Sequence, residues 1–219
     1  MPAVHKLSTI ILSQNPEQAF TDSLSLFANT QNVSTALENI FKMASLPLEA
    51  AEHLNKLVTY IDAAKGSFLI KQGQHTNHLY IIEKGFARIF SVIKGKEITS
   101  LFARENDIIT STYSLFTKNG SNENVEVLED SQLLKIDYIA FVNLCRENSD
   151  LFNLYRFLME KYYLALEERT LSLQFDSALE RYQKLLSRDP SILQRASLAT
   201  IASFLGMSPV TLSRMRAQV

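Results

Sequence analysis

Apolar positions along this chain change rhythm three times, and each change predicts a different kind of element. Leu37, Ile40 and Phe41 recur at helical spacing. Pro47 then opens a second segment with Leu54, Leu57 and Val58 on one side, so helices are expected across 36–60. From Gly66 the period shortens. Phe68-Leu69-Ile70, Leu79-Tyr80-Ile81-Ile82 and Phe86-Ala87-Arg88-Ile89-Phe90 are short runs broken by Lys71-Gln72-Gly73 and Glu83-Lys84-Gly85. Ile93-Lys94-Gly95-Lys96-Glu97-Ile98 reads as a hairpin, Lys118 to Asn124 as a polar loop, and Val125 to Ile136 as closing strands. Runs of this kind, with turn signals every eight to twelve residues or so, predict a small sandwich or barrel.

From Ser149 the pattern is helical for some two dozen residues, roughly 35 Å at about 1.5 Å per residue. Leu151, Tyr155, Leu158, Tyr162 and Ala165 alternate steps of four and three, a coiled-coil seam. Phe152, Phe157, Leu164 and Leu171 fall off that seam, so the helix is apolar on several sides. One face on its own β-domain and another on a second copy of the chain accounts for this; a long core helix in a monomer is the alternative. Ser177-Ala178-Leu179-Glu180 is a capping box that starts a further helix, with Leu179, Tyr182 and Leu186 inward, and Asp189-Pro190 ends it. Ser197 begins another.

The last turn signal is the most explicit. Gly206 can take the left-handed conformation that ends one helix, Ser208 can cap the next, and Pro209 suits its first position. Leu212 and Met215 share the inner face, leaving Val210, Thr211, Ser213 and Arg214 outward. A helix presenting small polar groups and a guanidinium after a tight turn is how a helix-turn-helix enters the DNA major groove. An ordinary helical hairpin gives the same pattern.

Composition narrows the classes. With 219 residues, 46% hydrophobic and 21% charged, one large or two smaller packed domains are expected rather than disorder. The formal net charge of −1 argues against a generic polyanion binder. Residues 174–219, however, hold six Lys or Arg against three Asp or Glu, a net of +3, which leaves −4 for the rest. A basic end on an acidic body suits local phosphate contact, as it would a solvated charged face. Cys145 is the single cysteine, which excludes an intrachain disulfide or a four-cysteine iron–sulfur cluster, and its neighbours suggest a buried structural thiol. No membrane-length apolar run and no basic–apolar leader pattern is seen, so a cytoplasmic protein is expected.

In this order the segments resemble the Crp/Fnr family of transcription regulators. The residues carrying the likeness are Lys65-Gly66, Lys71-Gln72-Gly73 and Leu79 to Gly85, then Leu179 to Tyr182 with Leu185-Leu186, Ile201 to Gly206, and Thr211 to Arg214. The likeness spans about residues 36–216, and the Glu180-Arg181-Tyr182 helix is similar to the branch common in Bacteroidetes-type bacteria. The resemblance implies an α+β fold: N-terminal helices, an antiparallel β-roll of the jelly-roll or double-stranded β-helix type, a long dimerisation helix and a C-terminal helix-turn-helix. The expected domains are an N-terminal extension at 1–35, a sensor β-roll at 36–148, the dimerisation helix at 149–174 and the DNA-binding unit at 175–219. Duplex DNA and a second copy of the chain are the implied partners; the resemblance also allows a small-molecule effector and RNA polymerase.

Site residues follow from the same likeness. Ser208, Val210, Thr211, Ser213, Arg214 and Arg216 are expected at DNA, with Arg214 reading a guanine and Arg216 touching a phosphate. Leu151, Tyr155, Leu158, Tyr162 and Ala165 are expected at the dimer seam. Nucleotide-binding members carry a Gly-Glu pair and an Arg-Ser-Ala or Arg-Thr-Ala run, in which the arginine pairs with the cyclic phosphate. Here the stretch is Asn106 to Thr112 and Gly120 to Asn124, without an arginine between Arg104 and Arg146. Lys118 is its only cation, and Glu123 and Glu126 would repel a phosphate. A degenerate nucleotide site is therefore expected, with a regulator that does bind a cyclic nucleotide as the alternative. His75 and His78 lie at a turn and are read as solvated rather than haem-ligating. Pro209 and Val210 stand where the family often has Arg and Glu, and no β-hairpin wing is expected after the last helix. No cofactor, no metal and no catalytic residue is assigned, because neither a ligand cluster nor a nucleophile–base pair appears. The remaining alternative is a β-roll interaction module whose helix-turn-helix only packs.

Overall fold

The computed structural model describes residues 16–31 and 33–217. The apolar patch at Leu7, Ile10, Ile11 and Leu12 lies outside the described residues. Three helices lead: α1 (Pro16–Gln31), α2 (Thr35–Met43) and α3 (Leu48–Asn55). Helix α1 falls within the expected extension, yet it buries Leu24 and Phe27 in the same core as Leu37, Ile40 and Phe41. A boundary at residue 35 would cut that core.

The strands are β1 (Val58–Ala63), β2 (Phe68–Ile70), β3 (His78–Lys84), β4 (Ala87–Ile93), β5 (Lys96–Ala103), β6 (Ile108–Ile109), β7 (Asn124–Val127) and β8 (Ser131–Asp137). They form two four-stranded antiparallel sheets in the orders β1-β8-β3-β6 and β2-β7-β4-β5, the jelly-roll expected. Strand β1 is a correction, because Val58 was expected to continue a helix. Its pairing of Val58 with Ile136 through Ala63 with Ser131 supplies backbone partners that local periodicity cannot report. Two further helices escape the periodic signal: α4 (Thr112–Thr117), one short turn capped by Ser111, and α5 (Tyr138–Glu147), capped by Asp137.

The uninterrupted run Leu79-Tyr80-Ile81-Ile82 has a structural cause. Tyr80 and Ile82 point into the roll with Ile89, Val125, Val127 and Leu133, while Leu79 and Ile81 point to the helices. This sheet is covered on both faces, so neither side of the strand is polar. The β4–β5 hairpin pairs Ile93 with Lys96 across Lys94 and Gly95, both at positive φ, the geometry of a two-residue type I′ turn. At Gly85 a Cβ would lie 2.1 Å from Ser131 Oγ, so only glycine fits there.

Helix α6 (Ser149–Phe175) is the long one, followed by α7 (Ala178–Arg188), α8 (Ile192–Arg195), α9 (Leu198–Phe204) and α10 (Pro209–Arg216). The Ser177–Glu180 capping box forms as expected. A third core joins Tyr182, Ile192, Ile201, Ala202, Leu205 and Leu212 with Phe86, Phe102 and Leu128 of the roll. The C-terminal helices are thereby docked on their own β-roll.

Helix α6 also requires a correction. Leu151 is fully buried in its own chain, and Leu158 packs on the same core. The Tyr155 hydroxyl lies 3.2 Å from that of Tyr138, and the Tyr162 hydroxyl 3.2 Å from Thr112 Oγ1. Four of the five expected seam residues thus face their own roll, leaving only Ala165 exposed. The helix leaves Phe152, Tyr163, Leu164, Leu166, Leu171, Leu173 and Phe175 exposed instead, Phe175 by 77%. A four–three rhythm marks a packing face without saying whose surface it packs on.

Candidate nucleic-acid interface

The two C-terminal helices are built by local signals. Ser197 Oγ accepts from Thr200 N at the start of α9, and Gly206 takes φ +63° after it. Ser208 Oγ accepts from Thr211 N at 3.0 Å, and Pro209 occupies the first turn of α10. Leu212 is fully buried and Met215 packs beside it. Val210 (63% exposed) and Arg214 face away from Leu212 and Ser213 stands to the side, while Ser208 and Arg216 are exposed at the two ends of the helix; Thr211 is half-buried, its hydroxyl held 2.8 Å from that of Ser208. Among the described residues neither Arg214 nor Arg216 makes an ion pair, so both guanidinium groups are uncommitted.

The other C-terminal cations are not equally available. Lys184 pairs with Asp176 at 2.7 Å, and Arg188 pairs with Glu168. Arg195 is bidentate to Glu105 at 2.8 and 3.0 Å, and contacts Glu129 at 2.6 and 3.3 Å. Its guanidinium also sits 4.7 Å from the Phe86 ring centroid. The Arg195 contact holds the Glu105 carboxyl down at about 2, helped by the Gly85 N–H, and the two carboxylates push the guanidinium pKa up. The basic surplus of the C-terminal segment is thus partly spent on the β-roll.

This docking is reinforced by an aromatic stack. Phe86 and Phe102 lie 5.3 Å apart, Phe102 and Phe204 4.9 Å, and Arg169 covers Phe204 at 4.1 Å. Ser203 Oγ accepts from Thr99 N and donates to Glu97 O, each at 2.9 Å. The buried Thr99 Oγ1 beside it has no hydrogen-bond partner among the described residues. Sequence reasoning missed this contact because its members lie about a hundred residues apart and no periodicity links them.

In the roll, the segment from Ser111 to Asn124 is spent on itself. Ser121 Oγ lies 2.9 Å from Ser111 Oγ, and Ser114 Oγ donates to Asn119 O at 2.8 Å while accepting from Thr76 N. Gln72 N donates to Asn124 Oδ1. Burial pushes the Glu123 carboxyl above its ordinary range, against a Ser100 hydrogen bond. Glu126 pairs with Arg88, a buried cation the sequence reading did not weigh; Arg88 is also held by Glu97 and lies 3.9 Å from the Phe90 ring. His75 bonds Asn77 Oδ1 at 2.7 Å, and burial lowers the pKa of His78, which lies at the start of β3. Cys145 is buried, its thiol pushed up to about 11, and donates to Leu151 O. Among the described residues there is no metal-type cluster, and no helix is long and apolar enough to cross a membrane.

Residues 61–148 match the family model of the cyclic nucleotide-binding domain. No curated protein matches the chain in sequence. Among solved structures it is similar to FixK2 of Bradyrhizobium japonicum, with a TM-score of 0.66, 16% identity, and coverage of 74% of this chain and 83% of that one. It is also similar to the c-di-GMP responsive global regulator CLP of Xanthomonas campestris, at TM-score 0.63, 14% identity and coverage of 78% and 91%. A Eubacterium rectale protein assigned to the Crp/Fnr family of transcriptional regulators gives 0.61, 18%, 82% and 87%. At these identities the likeness is one of fold. The chain therefore carries a domain of the cyclic nucleotide-binding type and has the fold of the Crp/Fnr regulators.

Proposed function

We propose that this chain is a cytoplasmic, homodimeric, DNA-binding transcription regulator of the Crp/Fnr type whose β-roll has lost the cyclic-nucleotide site. The supporting observation is α10, where Arg214 stands exposed and unpaired on the face away from buried Leu212, and Arg216, also exposed and unpaired, lies on another side of the helix near its end. In this reading 36–148, with α1 packed on its core, is the sensor, 149–174 the dimer helix and 175–219 the DNA-binding unit. Ser208, Val210, Thr211 and Ser213 line the groove contact, Arg214 reads a guanine, and Arg216 meets a phosphate.

Dimerisation uses the outer stripe of α6. Phe152, Met159 and Leu166 recur every seven residues, with Tyr163 four after Met159, a seam beside the stripe that packs on the chain's own roll. Degeneracy of the nucleotide site is supported by Glu123 near where a cation is needed, and by Ser121 bonded to Ser111 and Ser114 bonded to Asn119 O. An effector of another class would act by favouring one of two dimer geometries.

The test is selection from a randomised duplex pool, followed by titration of the recovered sequence from 50 to 200 mM salt. Affinity should fall linearly on a log–log scale, with a slope of about −0.9 per phosphate contact. Absence of duplex binding at the lowest salt would overturn the reading.

A further inference from the structure

We propose that the crevice between α6, α7 and the end of α9 is a binding site for a small phosphate monoester with an apolar body. It encloses about 120 Å³, room for roughly four waters at about 30 Å³ each. Its wall carries Arg169, Arg181, Lys184 and Arg188 together with the apolar Leu173 and Phe204.

The charge balance points to an anion. Against these four cations stand Glu168, also on the wall and paired with Arg188, and Asp176, which holds Lys184. Two positive charges remain unmatched. They belong to the inner guanidinium groups, whose hydrogen bonds go to neutral carbonyls. Arg169 Nη2 donates to Thr99 O at 3.1 Å and Phe204 O at 2.9 Å. Arg181 donates from Nε to Leu205 O at 2.8 Å and from Nη1 to Asp176 O at 2.6 Å. Among the described residues neither makes a direct ion pair with a carboxylate, Arg181 only sharing the field of Asp176 with Lys184, and each keeps N–H donors beyond those used. Holding the carbonyls at the end of α9 explains why cations stand there, but not the surplus charge on a concave wall.

Burial pulls the Arg169 pKa down to about 10, a sign that its charge sits where water is scarce. An anion there gains more than on an open surface. A monoester presents two charges and three oxygens at a terminus that can enter the crevice, whereas a DNA phosphodiester carries one charge between two bulky sugars. The apolar wall takes the organic part. Because the lining spans three helices, an occupant ties the long helix to the helix-turn-helix. Any consequence for DNA affinity rests on the DNA-binding reading above; binding of the monoester does not.

The experiment is calorimetry on the full chain with phenyl phosphate, inorganic phosphate and phenol at constant ionic strength. Phenyl phosphate should bind at sub-millimolar concentration, at least tenfold tighter than inorganic phosphate, and phenol should give no heat. Lys184→Gln with Arg188→Gln leaves the Asp176 and Glu168 carboxylates unpaired beside the inner guanidinium groups, cancelling their surplus charge, and should weaken phenyl phosphate at least tenfold. Both side chains are more than half exposed, so the fold should persist; melting temperature checks this, and Lys184→Gln alone serves if the pair unfolds. No heat from phenyl phosphate at several millimolar, or unchanged affinity in the variants, overturns the proposal. Competition by a short duplex that abolishes phenyl phosphate binding would assign the crevice to the DNA backbone and overturn it too. Phenyl phosphate binding in a chain that binds no duplex would leave this site standing and the DNA reading fallen.

Discussion

Replacing Arg195 by methionine keeps most of the aliphatic packing and removes the guanidinium that joins α8 to Glu105 and Glu129. Glu105 is held at about 2, against 4.5 without partners. At about 1.4 kcal/mol per pKa unit the full shift would be worth about 3 kcal/mol. The Glu105 side chain is 39% exposed, and solvent screening reduces that to about 1–1.5 kcal/mol. Glu129, 36% exposed, adds about 0.5 kcal/mol on the same footing. Loss of the contact with Phe86 adds about 0.5 kcal/mol. The total is about 2–2.5 kcal/mol, a factor of roughly 30–60 in the docking equilibrium. Amide hydrogen exchange at pH 7 should show α8 to α10 opening faster by that factor, with β3 and β8 far less affected. The pH dependence has a definite sign. Glu105 is depressed in the folded state, so its contribution is complete above the unfolded carboxylate range and is lost as pH falls from about 5 towards 2. Wild type and variant should therefore converge in acid. Exchange within threefold of wild type at pH 7, or a difference that grows below pH 4, would refute the clasp. A cycle with Glu105→Gln should recover most of the effect as coupling.

Further expectations separate the two sides of α6 and the two arginines of α10. Tyr163→Glu or Leu166→Glu should give a folded monomer by sedimentation, whereas Leu158→Glu should lower the melting temperature sharply by placing a charge in the chain's own core; a wild-type chain monomeric at high micromolar concentration would refute the seam. Arg214→Ala should flatten preference at one base pair per half-site by about 1–3 kcal/mol, read by competition over all four bases. Arg216→Ala should weaken every sequence alike and reduce the salt slope by about one per subunit; a uniform loss for Arg214→Ala would make it a phosphate anchor instead. Calorimetry with cyclic AMP or cyclic GMP should give no binding at physiological levels, and a low-micromolar constant would contradict a degenerate site.

Much of this molecule was legible in the order of its residues because the responsible physics is local. The Lys94-Gly95 turn, the Ser177–Glu180 capping box and the Gly206-Met207-Ser208-Pro209 break each depend on a few adjacent residues, and each forms where the sequence places it. The inner and outer faces of α10 follow from helical spacing once Leu212 is known to be inside. Strand β1 was not legible, because its partner β8 lies some seventy residues away and its own pattern suited a helix as well. Periodicity found the packing stripe on α6, but the surface it packs against was settled by Leu151 and Leu158 meeting the helices and strands of their own chain. The docking of the C-terminal helices belongs wholly to the tertiary structure. Phe86, Phe102 and Phe204 each read as ordinary core residues, and Arg195 as one more cation of a basic tail. Only the folded chain brings Glu105 and Glu129 to that guanidinium, because charge pairing between distant segments leaves no pattern in sequence.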